Sequence, residues 1–336
     1  MLTRMAAFFL MASAAGAETR NLVLVTADGL RWQEVFNGID AGLMNEKAAG
    51  MQGKAALRDA LWAESAVVRR QKLMPFFWKK LAPGAVVLDN VRVTNGFRVS
   101  YPGYSEILTG RAQDDVIKGN SPIQNPVETV LEFLKRSLRL RKEQVAMFGS
   151  WDTFRWISEK TPGSITLNAG YMDSNLTPRI AELSRMQHDI RSGWDSVRHD
   201  YFTFEMALDY LKSAKPRVLY IAFGETDDWA HDKRYDRVLE SIQYFDRSLE
   251  RLWTALQTMP EYRDSTALVI TSDHGRGSKL EDWSGHGTKV EGADRIWVTV
   301  AGPDRDKARA IEAQKDVAPA ALRMLGLKPE EYLQGR

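Results

Sequence analysis

Short apolar runs, each followed by polar side chains, are the main pattern along this chain. Residues 21–27, 217–221 and 267–272 have the length and continuous apolar character of strands that are buried on both faces. The same reasoning predicts three further strands, at 85–93, 145–148 and 296–301.

Apolar residues at helical spacing predict helices between these strands. The longest amphipathic segment is 235–259, where Val238, Ile242, Phe245 and Leu249 fall on one stripe. The other predicted helices are 56–70, 74–81, 105–109, 126–138, 178–188, 200–214 and 317–325, the last capped by Asp316. Apart from the predicted helix 178–188, the region 151–198 is predicted to be irregular.

Alternating strands and helices predict an α/β fold. We expect three layers, with a largely parallel central sheet and helices on both faces. No repeat or linker interrupts the pattern, so residues 18–336 are predicted to form a single domain.

Composition removes several classes of function. The chain has 336 residues, 44% of them hydrophobic, which is enough to bury a substantial core. Its net charge is only +2 without a long basic tract, so no nucleic-acid partner is expected. Cysteine is absent, which excludes thiolate ligands and thiol catalysis and leaves histidine and carboxylates to hold any metal.

Residues 1–17 have the organisation of a secretory signal peptide. Arg4 supplies the positive charge, 5–14 the apolar region, and 15–17 a small-x-small cleavage site. An uncleaved anchor is the alternative, although the apolar run is short for a bilayer span. We expect a periplasmic or secreted protein without stable membrane insertion after cleavage.

Three of the predicted strands end in residues typical of metal ligands. Because functional side chains of open α/β sheets gather at the carboxyl ends of strands, these residues are expected to converge. Each one alone has an ordinary alternative as a turn former or structural histidine, and the joint pattern favours a metal site. The candidate ligands are Asp28, Asp227, His231, Asp273, His274 and His286.

Six such ligands suit two divalent ions, a pair that can hold the attacking and leaving oxygens of a displacement at phosphorus. Ser100 is the candidate nucleophile, because it follows a strand at a predicted helix start, where backbone N–H groups favour an anion. The alternative is that Ser100 only caps the helix.

The order of these motifs resembles the alkaline phosphatase superfamily over nearly the whole mature chain. The motifs are Asp28-Gly29, Ser100-x-Pro102, Asp227-x-x-x-His231, Asp273-His274-Gly275 and Gly285-His286-Gly287. The similarity is closest to the type I phosphodiesterase/nucleotide pyrophosphatase branch of that superfamily.

This resemblance implies two zinc ions, although manganese or iron would fit a histidine and carboxylate site nearly as well. One ion would be bound by Asp227, His231 and His286. The other would be bound by Asp28, Asp273, His274 and Ser100. The implied reaction is hydrolysis of a small-molecule phosphate ester, diesters ahead of monoesters, through a phosphoseryl intermediate on Ser100. The alternatives are a sulfate- or phosphonate-ester hydrolase and an inactive metal-binding module.

The chain departs from its relatives' patterns at three positions. The phosphodiesterase branch usually has Thr at Ser100 and Asn at Gly103, and that Asn contacts a non-bridging oxygen. The sulfatase branch has Arg where this chain has Tyr104, which argues against a sulfatase. The oxyanion contact is therefore open between Asn95, Arg98 and the backbone amide after Ser100.

Five other residues are candidates for a functional role or for an ordinary structural one. Trp32, Trp229 and Trp283 lie close in sequence to proposed ligands, and either wall a substrate pocket or belong to the core. His188 and His199 are interpreted as ordinary surface residues.

Overall fold

The computed structural model describes residues 18–334. The predicted signal peptide, residues 1–17, lies outside the described residues. Seven strands form one sheet: β1 Asn21–Ala27, β2 Val86–Arg92, β3 Val145–Gly149, β4 Thr166–Ala169, β5 Val218–Phe223, β6 Thr266–Thr271 and β7 Arg295–Ala301.

The sheet has the order β2-β7-β6-β1-β5-β3-β4. Strands β6, β1, β5, β3 and β4 are parallel neighbours, whereas β7 is antiparallel to both β6 and β2. The prediction of a largely parallel sheet is confirmed. Because β6, β1 and β5 are adjacent, the three strands that precede candidate ligands end side by side.

Twelve α-helices flank the sheet within residues 18–334. They are α1 Trp32–Asn37, α2 Ala55–Leu61, α3 Ala66–Leu73, α4 Ser100–Thr109, α5 Val130–Ser137, α6 Phe154–Ile157, α7 Pro178–Asp189, α8 Asp200–Ala214, α9 Glu225–His231, α10 Tyr235–Thr258, α11 Val317–Met324 and α12 Pro329–Leu333. No helix in this part of the chain is long and apolar enough to cross a membrane.

Alternate residues of each central strand face opposite hydrophobic cores, which gives the three layers. On β1, Val23 and Val25 pack into the core that contains the apolar stripe of α10. Leu22 and Leu24 pack into the other core, together with residues of α4, α5 and α11. Strands buried on both faces account for the continuous apolar runs in the sequence.

Some predicted elements were wrong in their bounds or type. The helix predicted at 56–70 is split into α2 and α3, and the Arg69 guanidinium donates to the carbonyls of Ala63 and Glu64 within the break. Residues 74–81 contain a π-helical turn, Phe77–Leu81, in place of a regular helix. The segment predicted to be irregular contains β4 and α6.

Asp316 precedes α11 but does not cap it through its side chain. Its carboxylate instead accepts the amides of Glu312 and Ala313 in the preceding turn. The division into a single domain at 18–336 stays a prediction.

Candidate metal centre

The candidate ligands lie at the carboxyl edge of the three central strands. Asp28 directly follows β1, and Asp273 and His274 follow β6 after one residue. Asp227 and His231 lie in the short helix α9, which begins one residue after β5. Residues four apart share a face of a helix, so both side chains point to the same place.

One cluster brings together Asp28, Asp273 and His274. His274 Nε2 lies 3.4 Å from Asp28 Oδ1 and 3.4 Å from Asp273 Oδ2. The Ser100 hydroxyl is 3.4 Å from Asp28 Oδ1 and 3.3 Å from His274 Nε2. The nucleophile candidate therefore lies directly beside this cluster, on the first residue of α4.

The second cluster contains Asp227, His231 and His286. His231 Nε2 is 3.1 Å from Asp227 Oδ2 and 3.0 Å from His286 Nε2. Asp227 Oδ1 is 3.9 Å from His286 Nε2 and 3.7 Å from His274 Nε2, so the two clusters adjoin. Tetrahedral zinc with ligand distances of 2.0–2.1 Å places neighbouring ligand atoms about 3.3 Å apart, which is close to these spacings.

The ring nitrogens are arranged to leave Nε2 free for a cation. His274 Nδ1 lies 3.0 Å from the carbonyl of Gly275, and His286 Nδ1 lies 3.2 Å from the carbonyl of Arg98. An Nδ1–H that donates to a carbonyl fixes the tautomer whose Nε2 lone pair is available. Asp273 Oδ2 is buried and accepts no hydrogen bond within residues 18–334, and a divalent ion would satisfy it. The donor set thus fits a metal.

Burial opposes the charged forms of these groups. It raises the pKa of Asp28, with further increases from Asp273 and Asp228, and it also raises the pKa of Asp273. It lowers the pKa of His231, His274 and His286, which favours the neutral form of their rings. Neutral imidazoles and crowded carboxylates are the state that a bound cation stabilises.

A buried arginine contacts the second cluster. Arg276 is 1% exposed, and its guanidinium donates to the Asp227 carboxylate and to the Ser284 carbonyl. Burial lowers the pKa of Arg276 to about 9, which leaves the side chain charged at neutral pH. It contacts Asp227 Oδ1, whereas His231 contacts Oδ2 of the same carboxylate.

The loop before Ser100 is held by a buried carboxylate that the sequence analysis did not identify. Glu106 accepts hydrogen bonds from the amides of Thr94 and Asn95 and from Asn95 Nδ2. Asn95 Oδ1 in turn accepts the amide of Arg98 at 2.8 Å. Arg98 has a φ of 52°, and its carbonyl is the one that orients His286. One loop thus presents the candidate nucleophile and contacts a candidate ligand on another element.

Gly103 occupies the position at which the phosphodiesterase branch has asparagine. A Cβ at Gly103 would overlap the carbonyl oxygen of Asp273 and lie 2.9 Å from its carbonyl carbon. Helix α4 packs so closely against Asp273 that no side chain fits at this position.

Two of the proposed oxyanion donors already have partners. Asn95 Nδ2 donates to Glu106, and the amide of Tyr101, the residue after Ser100, donates to Asn120 Oδ1 at 2.9 Å. Asn120 is an exposed residue that sequence reasoning missed, and only its contact with the start of α4 reveals it. Its amide nitrogen makes no hydrogen bond within the described residues.

The remaining aromatic and histidine candidates have mostly structural surroundings. Trp32 and Trp283 pack with the core beside α10, and Trp229 contacts Trp194 edge-on at 4.6 Å between ring centroids. His188 is exposed and pairs with Asp173. His199 is not an ordinary surface residue, because its Nδ1 lies 2.7 Å from a carboxylate oxygen of Glu225 at the start of α9.

Parts of this chain are similar to known proteins. Residues 195–329 match the family described as the Metalloenzyme superfamily. A 2,3-bisphosphoglycerate-independent phosphoglycerate mutase from Gracilaria tenuistipitata var. liui is 22% identical over 134 residues, 39% of this chain. The chain spans a quarter of the length of that relative.

Three solved structures share the fold. The lipoteichoic acid synthase LtaP from Listeria monocytogenes is 12% identical, with 93% of this chain and 73% of that chain covered and a TM-score of 0.56. BT1596, a 2-O GAG sulfatase, is 14% identical, with 92% and 71% covered and a TM-score of 0.53. A protein in the alkaline phosphatase superfamily from Vibrio parahaemolyticus is 13% identical, with 92% and 67% covered and a TM-score of 0.52.

Residues 195–329 thus match a metalloenzyme family, and the fold is shared with a solved structure of the alkaline phosphatase superfamily. The resemblance to the alkaline phosphatase superfamily is therefore confirmed. None of the matches described above points specifically to the phosphodiesterase branch.

Proposed function

We propose that this protein is an exported two-metal hydrolase of phosphate esters, with diesters ahead of monoesters, and that Ser100 is its nucleophile. The observation that carries the proposal is the position of the Ser100 hydroxyl, 3.4 Å from Asp28 Oδ1 and 3.3 Å from His274 Nε2. Ser100 does not cap α4, because Val99 holds the N-cap position and Ser100 is the first residue of the helix.

The residues divide into two ligand sets, as the superfamily resemblance implies. Asp227, His231 and His286 would hold one ion, and Asp28, Asp273 and His274 the other, together with Ser100. Zinc is the metal we propose, because three imidazoles and three carboxylates suit it. Divalent ions at these places would lower the pKa of a hydroxyl or water and would offset charge on phosphoryl oxygens.

In the first step, the deprotonated Ser100 Oγ attacks phosphorus. The Oγ–P bond forms while the P–O bond to the alcohol breaks, and the leaving oxygen takes a proton from solvent. Water then attacks the phosphoserine, the Oγ–P bond breaks, and Ser100 regains its proton. Two inversions give net retention at phosphorus.

Arg98 and Asn120 are the side chains we propose for the non-bridging phosphoryl oxygens. Asn95 and the amide of Tyr101 are excluded because their donors are engaged. Both proposed residues adjoin the N-terminus of α4, where the helix dipole favours an anion.

The test uses purified protein with two equivalents of Zn²⁺ and aryl esters: bis(4-nitrophenyl) phosphate, 4-nitrophenyl phosphate and 4-nitrophenyl sulfate. We expect release of nitrophenol from the phosphates, and a loss of about 10³-fold or more in Ser100→Ala. Ser105→Ala is the matched control, because Ser105 is a buried serine on the same helix whose hydroxyl makes no hydrogen bond within residues 18–334. Activity that survives in Ser100→Ala would exclude Ser100 as the nucleophile. Turnover of the sulfate alone would exclude phosphate esters as the substrate class.

Phosphoryl transfer is a second candidate, favoured by the match to the phosphoglycerate mutase. In that case a substrate hydroxyl, in place of water, would accept the phosphoryl group from Ser100. Adding glycerol at increasing concentration distinguishes the two, because a transferase would form glycerol phosphate in proportion to nitrophenol released.

A further inference from the structure

Arg276 is a buried arginine beside the candidate metal centre, and the mechanism above gives it no role. It lies in the loop between β6 and β7, two residues after His274. A buried charge is costly unless it is paired and its donors are hydrogen-bonded. The partners of the Arg276 guanidinium therefore indicate what the residue does.

The guanidinium is anchored on the backbone at two points. Nη1 donates to the carbonyl of Ser284, and Nη2 donates to the carbonyl of Asp227 at 3.1 Å. Ser284 belongs to the same loop as His286, whereas Asp227 lies on α9. Arg276 thus joins the two segments that supply the second ligand cluster, and the two carbonyls fix the position of its guanidinium.

This fixed guanidinium distinguishes the two oxygens of the Asp227 carboxylate. Nη2 also donates to Oδ1, whereas Oδ2 lies 3.1 Å from His231 Nε2. His231 Nε2 is in turn 3.0 Å from His286 Nε2. One oxygen is therefore engaged by the arginine, and the other lies next to the ring nitrogens of the cluster.

Gly29 lies against this ion pair, which accounts for the glycine after Asp28. A Cβ at Gly29 would lie 2.6 Å from Asp227 Oδ1 and 2.8 Å from Arg276 Nε. No side chain fits there unless the carboxylate or the guanidinium moves, and the φ of 55° at Gly29 also favours glycine. The packing thus leaves the ion pair little room to rearrange.

We propose that Arg276 is a positioning residue of the metal centre: anchored on two backbone carbonyls, its guanidinium holds Asp227 Oδ1 and thereby presents Oδ2, beside His231, to an ion. The inference rests on the proposed function, because it assumes that Asp227 binds an ion. Loss of a group that orients a ligand commonly weakens metal binding about 10- to 100-fold. The rigid fork of arginine can hold several acceptors at once, which the single ammonium of lysine does not reproduce.

The experiment compares Arg276→Lys with Arg198→Lys. Arg198 is the matched control, because it is also fully buried but donates to Thr203 Oγ1 and Asn168 Oδ1, neither of which is a candidate ligand. The Zn²⁺ dissociation constants of the folded, metal-free proteins are measured by competition with a chromophoric chelator, and melting temperatures are recorded beside them. We expect Arg276→Lys to weaken binding of one of the two ions about tenfold. Arg198→Lys is expected to lower the melting temperature and to leave both dissociation constants unchanged.

A His286→Ala background identifies the ion that is affected. This variant is expected to keep only the ion beside Ser100, so Arg276→Lys should cause no further loss of affinity in it. Unchanged affinity in Arg276→Lys, an equal loss in Arg198→Lys, or a further loss in the His286→Ala background would overturn the inference and leave the proposed function intact. Wild-type protein that binds no divalent ion would instead refute the proposed function itself.

Gly29→Ala disturbs the same ion pair without removing either partner, and it provides the test if Arg276→Lys does not fold. We expect it to weaken binding of the ion at Asp227. Gly53→Ala is its control, because Gly53 has a φ of 74° and a Cβ there meets no atom within 4 Å. Equal dissociation constants in the two glycine variants would contradict the inference.

Discussion

The close packing of Gly103 against Asp273 leads to a quantitative prediction for Gly103→Ala. The new Cβ would lie 2.9 Å from the Asp273 carbonyl carbon and closer still to the carbonyl oxygen. Ordinary contact needs about 3.5 Å, so α4 and Asp273 must separate by about 1 Å.

This separation should affect activity far more than stability. Overpacking destabilises by about 1–3 kcal/mol, but alanine recovers about 1 kcal/mol of helix propensity relative to glycine. The net loss of stability is then about 0–2 kcal/mol. A displacement of about 1 Å between nucleophile and ligand lowers the rate about 10²-fold.

The assay is kcat/KM for an aryl phosphate ester, with the unfolding free energy from urea titration measured on the same preparations. Gly84→Ala is the control, since a Cβ at Gly84 meets no atom within 4 Å. A Gly103→Ala protein that retains activity within threefold of wild type would refute the reasoning. Gly103→Asn should not recreate the contact that the asparagine of the phosphodiesterase branch makes with a non-bridging oxygen, because its Cβ would overlap the Asp273 carbonyl in the same way.

Three other perturbations have defined outcomes. Burial raises the pKa of Asp236, but hydrogen bonds from two basic side chains outweigh this effect and lower the pKa to about 2. Asp236→Asn should therefore lose about 2 kcal/mol of stability at pH 7. This stabilisation is present above the unfolded pKa, and urea titrations at several pH values should show it fading as the pH falls from about 4 toward 2; a difference independent of pH would contradict it. Glu106→Gln should lose about 2–3 kcal/mol in the same assay, because a charged acceptor of several buried donors is replaced by an amide; an unchanged urea midpoint would count against that role. His286→Ala should bind one Zn²⁺ per chain in place of two by elemental analysis after dialysis, whereas exposed His188→Ala should keep both.

The position of the candidate ligands at one sheet edge was predictable from sequence because it depends on local rules. An apolar strand that ends in an aspartate places that side chain at a sheet edge, and parallel neighbours share the edge. This rule was sufficient for Asp28, Asp227 and Asp273. It did not reveal that Asp227 and His231 lie on a helix, because seven residues carry too little periodicity for a helix to be recognised.

Residues that act through tertiary contacts could not be found in this way. The sequence marks Gly103 only as a departure from the phosphodiesterase pattern, and its close packing against the Asp273 carbonyl becomes visible only in the structure. Glu106 reads as a surface position, yet it is fully buried. Asn120 lies in a loop, and only the hydrogen bond that it accepts from the amide of Tyr101 connects it with the site. Each of these needs a partner that is distant in sequence, and no local pattern encodes that partner.

A chain without cysteine has no covalent cross-link, yet its candidate ligands span positions 28 to 286. Two ions bound at these places would act as reversible cross-links between β1, β6, the loop after β6 and the segment that follows β5. An ion at about 100 times its dissociation constant adds about 2.7 kcal/mol to the folded state. The free metal level of the compartment would then govern resistance to proteolysis as well as turnover.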